Sequence, residues 1–203
     1  RLWLAWQLLK YRIGLRVKSP YSLKDMAKDS IAVLDELEIG EAHIIGASMG
    51  GMIAQTVAYD FPERTRSLIS IMSTTWAPHL PPPGREQEQG ISDMNESSAE
   101  QAENLEKIGF YPSALPNQVT AILSAGDRTT QVGTIEAPTL VLHGADDELL
   151  SVEHGKHTAE VISGAKLKIY KNMGHSLPDH VIPEMVDDIL GHLSTKPKLA
   201  SSE

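Results

Sequence analysis

Cysteine is absent from this 203-residue chain. Its absence excludes disulfide stapling and thiolate nucleophiles, and leaves the redox compartment unread. Aromatic residues make up only 5% of the chain, so a core must be filled mainly by Leu, Ile, Val, Ala and Met. No apolar run approaches the roughly 20 residues that a membrane-spanning helix needs. Positive charge is the scarcer sign: 18 Lys and Arg stand against 27 Asp and Glu, for a formal net charge of −9. Such a chain repels nucleic-acid backbone and anionic membrane, so neither is expected as a partner. Of the eight histidines, the spaced pairs His154/His157 and His175/His180 lack a third ligand nearby, and a metal site needs three or four. With no phosphate-cradling loop either, no metal and no cofactor is expected. The opening Arg1-Leu2-Trp3-Leu4-Ala5-Trp6 has neither an initiating Met nor a small-residue cleavage site. It reads as neither a signal peptide nor a natural start, and a cytoplasmic location is the default expectation.

With 41% hydrophobic and 22% charged residues, the chain has the composition of one globular domain with a real core. Residues 1–18 are basic and carry no acidic residue. Leu2, Leu4, Leu8 and Leu9 suit a short helix. The alternation of Ile13, Leu15 and Val17 with Arg12, Gly14, Arg16 and Lys18 predicts a half-buried strand. Residues 22–39 read as a helix, with Ser22 as N-cap, Asp25 three positions on, and Gly40 as its stop. Ala42 to Ala47 is a short apolar run that predicts a buried strand. Residues 50–60 return to helical patterning, which Pro62 ends, and Ser67 to Ser73 predicts a second buried strand. Strand, helix and strand within about 30 residues form the βαβ unit of a parallel sheet. Residues 77–100 are rich in Pro, Glu, Gln and Ser and read as loop, with helices expected at 99–108 and 116–125. Thr139 to His143 predicts a third strand, 154–163 a helix, Lys166 to Tyr170 a fourth strand, and 178–194 a closing helix.

The chemistry concentrates at strand ends. Gly46-Ala47-Ser48-Met49-Gly50 is a Gly-x-Ser-x-Gly turn between a predicted strand and a predicted helix, the context that marks a nucleophile elbow. A turn this sharp strains the central residue and leaves little room for side chains at Gly46 and Gly50. It aims the Ser48 hydroxyl at the helix N-terminus, where the N–H of Met49 is the expected oxyanion donor. A serine hydroxyl needs a base within hydrogen-bond reach. His175, in a Gly-flanked loop after the last predicted strand, fits best. His43 lies in a strand and His154, His157 and His192 on helices, while His79 and His180 stay open. Asp146 and Asp147 follow the third strand, where open α/β sheets place functional groups, and both are candidates to orient the imidazole.

On these residues the chain resembles the α/β-hydrolases, and within them the aclacinomycin methylesterase-like esterases. The resemblance rests on Pro20-Tyr21-Ser22-Leu23 with Asp25-Met26-Ala27, on Ala42 to Gly51 and on Thr139 to Asp147. Glu153-His154-Gly155 and Met173-Gly174-His175-Ser176-Leu177-Pro178 extend it. It implies an α/β fold: a partial α/β-hydrolase, with a mostly parallel sheet flanked by helices and a short helical cap insertion. The Gly144-to-Asp147 step implies Asp147, rather than Asp146, as the triad acid. Ser48, Asp147 and His175 then stand in the chain order of this fold.

The implied organisation is 1–76 as the N-terminal part of the core with the elbow, 77–132 as a cap-like insertion, and 133–203 as the C-terminal part of the core. The implied activity is carboxylic ester hydrolysis through an acyl-enzyme, with a methyl ester as one substrate type, and a small-molecule ester as the partner. Perhydrolysis on the same triad is a variant, whereas Ser48 disfavours an Asp-nucleophile dehalogenase or epoxide hydrolase. The chain also departs from the family. Relatives carry about four strands before the elbow strand and a His-Gly oxyanion loop. Residues 1–40 hold one strand candidate and no such loop, so a second oxyanion donor must come from elsewhere. The competing expectation is a catalytically silent remnant acting as a binding or interaction module. An uncovered elbow strand would be a sheet edge: either residues 12–18 cover it, or the protein is a dimer, or it aggregates.

Overall fold

The computed structural model describes residues 2–84, 107, 111 and 114–194. The helix expected at 99–108 lies, apart from Lys107, outside the described residues. The elements run α1 (Leu2–Arg12), α2 (Leu23–Glu36), β1 (Ala42–Ala47), α3 (Met49–Asp60), a 3₁₀ turn (Pro62–Arg64) and β2 (Thr65–Ile71). They continue with α4 (Leu115–Ala125), α5 (Thr129–Val132), β3 (Thr139–Gly144), α6 (Val152–Val161), β4 (Lys166–Tyr170) and α7 (Ile182–Leu193).

The sheet order is β1-β2-β3-β4 and every pair is parallel. The short unbroken apolar runs read from the sequence suit this, because helices cover both faces of a parallel sheet. Alternation along β2 sends Ile69 and Ile71 into a core with Tyr170, Met173, Val181 and Met185 on the α7 side. Leu68 turns the other way, onto Ala54 and Ala58 of α3 and Ile162 after α6. α2 packs behind α3 through Ala27, Ile31 and Val57. At the far end, Tyr170 donates its hydroxyl to Asp188 at 2.8 Å and tethers α7 to β4. All four strands therefore present their carboxyl ends on one side, which is where parallel α/β sheets build sites.

Ser22 caps α2 as its spacing predicts, with a reciprocal bond to Asp25. The helix stops before Gly40, however. Glu38 takes the left-handed conformation at φ +55, and the N–H groups of Glu38 and Ile39 return to the carbonyls of Asp35 and Leu34. That is a Schellman closure with Glu in the usual glycine place.

The strand expected over residues 13–17 does not form. α1 runs on to Arg12 and closes the same way: Gly14 stands at φ +71, and Leu15 N–H returns to Lys10 carbonyl at 2.8 Å. The chain leaves this turn without a strand to pair with. Ile13 and Leu15 stay exposed, and only Val17 is buried. Residues 12–18 therefore do not cover β1, which is the edge of the described sheet.

Candidate active site

Ser48 occupies the single position between β1 and α3, with φ +54 and ψ −120. That conformation is costly for a residue with a side chain and persists only where the surroundings over-determine it. Here they do. Ser48 N–H donates to Ile71 carbonyl at 2.9 Å, and Ser48 carbonyl accepts from the Ser73 hydroxyl at 2.9 Å and from the N–H groups of Gly51 and Met52. The turn needs glycine at Gly46, where a Cβ would fall 2.1 Å from Gly50 carbonyl oxygen, and at Gly51, where it would fall 2.5 Å from Ser73 Cβ. Gly50 has open space around its Cβ position. The crowding expected at Gly50 from the motif falls one residue later, because Ser73, two residues past β2, leans against Gly51. Met49 is the first residue of α3, so its N–H has no acceptor within the helix.

The structure brings three of the predicted residues together. His175 Nε2 lies 2.8 Å from Ser48 Oγ, and His175 Nδ1 lies 2.8 Å from Asp147 Oδ2. Asp147 follows β3 and His175 follows β4, so two adjacent parallel strands deliver both to the same end of the sheet. Of the two candidate acids, Asp147 is the one that turns inward. Its side chain is fully buried, whereas Asp146 is exposed and donates its N–H to Met173 carbonyl. Asp147 Oδ1 accepts from the N–H groups of Leu149 (3.0 Å) and Leu150 (2.8 Å). Burial pushes the Asp147 carboxyl up, but hydrogen bonds from His143, His175 and Leu150 outweigh it and hold the group well below the usual carboxylate range.

Most of the remaining histidines are engaged elsewhere. His43 bonds Ser67, His157 stacks edge-on against His79, and His154 bridges Thr74 and the Pro81 carbonyl. His180 is exposed. Sequence reading passed over two buried residues. His143 sits inside an apolar strand, and its one signal is a position four before Asp147. Arg128 reaches from before α5 to the carbonyls of Met52 and Thr74, tying α3 to the loop after β2. A cavity of about 660 Å³, lined by Arg16, Lys18, Tyr59 and Arg128 among others, contains none of Ser48, Asp147 and His175. Among the described residues no helix is long and apolar enough to cross a membrane.

Residues 10–105 match the family described as alpha/beta hydrolase fold. Rhodomycin D methylesterase DauP of Streptomyces sp. (strain C5) is 25% identical, over 85% of this chain and 74% of the relative. The 2-hydroxy-6-oxononadienedioate/2-hydroxy-6-oxononatrienedioate hydrolase of Cupriavidus pinatubonensis (strain JMP 134 / LMG 1197) is 29% identical, over 79% of this chain and 65% of the relative. Among solved structures, the 2-hydroxy-6-oxo-6-phenylhexa-2,4-dienoate hydrolase of Rhodococcus sp. strain RHA1 superposes with a TM-score of 0.69 at 15% identity, covering 89% of this chain and 75% of that one. The chain thus spans 65% to 75% of the length of these proteins, less than two thirds of the Cupriavidus hydrolase, and by name one is a methylesterase and two are hydrolases. The family match, the superposition and the parallel topology together show an α/β-hydrolase fold in this chain.

Proposed function

We propose that this chain is a carboxylic ester hydrolase in which Ser48 is the nucleophile, His175 the general base and Asp147 the residue that orients His175. The observation that carries the reading is the continuous relay from Ser48 Oγ through both ring nitrogens of His175 to Asp147, each link 2.8 Å. The Asp147 carboxylate can only accept, so Nδ1 carries the proton and Nε2 is left free to take one from Ser48.

In the proposed reaction, Ser48 Oγ bonds to the ester carbonyl carbon as its proton passes to His175 Nε2. The negative oxygen of the tetrahedral intermediate faces the N–H of Met49 at the head of α3, within the elbow formed by Gly46 and Gly50. Collapse breaks the carbon–oxygen bond to the alcohol, which takes the proton from Nε2. Water, deprotonated by the same nitrogen, then cleaves the acyl-Ser48 ester and releases the acid. Methyl esters of small or medium carboxylic acids are the first substrates to try, since one of the similar proteins is a methylesterase by name. We assign residues 77–132, which interrupt the strand–helix alternation between β2 and β3, to a cap-like insertion that shapes the substrate pocket.

Hydrolysis of p-nitrophenyl acetate and butyrate by the wild type and Ser48→Ala tests the reading. Turnover that disappears in Ser48→Ala is the expected result. Equal, near-background rates in both proteins would favour a silent binding module.

A further inference from the structure

We infer that His143 is a positioning residue for the proposed triad: it clamps the Asp147–Leu150 turn and so fixes the carboxylate that faces His175. The inference rests on the triad reading above.

The His143 side chain is fully buried in β3. Its Nε2 lies 2.7 Å from the Leu150 carbonyl oxygen, which can only accept, so Nε2 carries the proton. Nδ1 has no hydrogen-bond partner. It packs against Gly155 on α6, where a Cβ would fall 2.6 Å from it. A proton there would be a buried donor with no acceptor, so the ring is neutral with its only N–H on Nε2. That N–H also lies 3.4 Å from Asp147 Oδ2, the same oxygen that His175 Nδ1 approaches to 2.8 Å.

Leu150 is consequently held from both sides. Its N–H bonds Asp147 Oδ1 at 2.8 Å and its carbonyl accepts from His143. The carboxylate, the turn and the imidazole in β3 are thus linked through Leu150 by two hydrogen bonds. An apolar residue at 143 would fill the same space in the strand. It would leave the Leu150 carbonyl buried without a donor and free the turn, and with it the Asp147 carboxylate, to rotate away from His175. A histidine here therefore does what core packing alone does not require.

His143→Leu removes the donor, and His143→Gln returns an N–H near the position of Nε2. Two readouts separate positioning from packing. One is the downfield proton resonance of the His175 ring N–H shared with Asp147. The other is the pH profile of kcat/KM on p-nitrophenyl butyrate. The expected result for His143→Leu is a resonance that is lost or moved upfield, and kcat/KM lowered roughly ten- to hundredfold. That loss stays short of the roughly 10⁴-fold seen when a triad acid is replaced outright. The acidic limb should move to lower pH, because an imidazole whose carboxylate partner has rotated away holds a proton less well. His143→Gln should recover most of the resonance and the rate. If His143→Leu does not fold, His143→Asn, whose amide ends short of Leu150, takes its place with the same expected outcome. A resonance unmoved in the donor-less variant, or a Gln variant no better than it, would overturn the inference. If the wild type hydrolyses no ester, the esterase reading fails, and the resonance series still decides the role of His143.

Discussion

Gly144 at the end of β3 and Met173 in the loop after β4 meet backbone to backbone: a Cβ on Gly144 would fall 2.1 Å from the Met173 carbonyl oxygen. Asp146 N–H bonds that same oxygen at 3.0 Å. This contact sets the spacing between the loop that carries Asp147 and the loop that carries His175. Gly144→Ala must push the two loops apart. It should destabilise the protein by about 1–3 kcal/mol and lower esterase turnover more than its stability loss explains. Urea denaturation and p-nitrophenyl ester hydrolysis on the same preparation check both parts.

The elbow makes a contrasting pair. Gly46→Ala drives a methyl group into the Gly50 carbonyl, whereas Gly50→Ala meets nothing within 4 Å. Gly46→Ala should therefore unfold the turn and abolish activity. Gly50→Ala, inside α3, should hold or raise stability by up to about 1 kcal/mol. Thermal melts of the two variants distinguish them, and similar losses in both would contradict the reading of the elbow.

Glu38 closes α2 at φ +55, where a side chain is strained and glycine is not. Glu38→Gly should stabilise the protein by about 0.5–1 kcal/mol, the strain relief being partly offset by the greater freedom of glycine when unfolded. Denaturant midpoints measure it, and destabilisation would show that the Glu38 side chain contributes more than its backbone costs.

How much of this was legible beforehand differs by element. The Gly-x-Ser-x-Gly turn between an apolar run and a helical repeat identified β1, α3 and the place of Ser48, because strand period, turn chemistry and helix period agreed there. The apolar alternation of residues 13–17 misled, because period-2 patterning predicts a strand only where a partner strand exists to pair with. The backbone turn at Gly14 outweighed it. Glycine is the usual stop signal and points to Gly40 as the end of α2, yet Glu38 takes that conformation. Which acid faces the imidazole could not be read from Asp146-Asp147 alone. It depends on a turn whose closing partner, His143, is hidden in an apolar strand four residues upstream.

The depressed carboxyl of Asp147 makes stability depend on pH. Its folded-state pKa lies below the unfolded value of 3.8, so the stabilisation is fully present above that value and is lost as pH falls through the folded pKa. Asp147→Asn should therefore be destabilising at neutral pH, with the gap from wild type closing as pH drops below 3.8. Urea midpoints along a pH series measure the gap, and one that stays constant into acid would contradict the assignment of the shift to Asp147.

β1 lies at the edge of the described sheet, and Ile45 on it is 49% exposed. An unpaired apolar edge recruits another strand, and we propose a homodimer formed by β1 of two copies. Light scattering after size-exclusion chromatography should report a dimer for the wild type and a monomer for Ile45→Lys. A wild-type monomer would refute the pairing.

Covalent capture of the nucleophile reaches the central claim most directly. Treatment with a p-nitrophenyl alkylphosphonate, followed by intact-mass and peptide mass spectrometry, should place a single phosphonyl adduct on Ser48. The adduct should be absent from Ser48→Ala and form far more slowly in His175→Ala. A folded wild-type protein that gains no adduct, or gains it on another residue, would contradict the account.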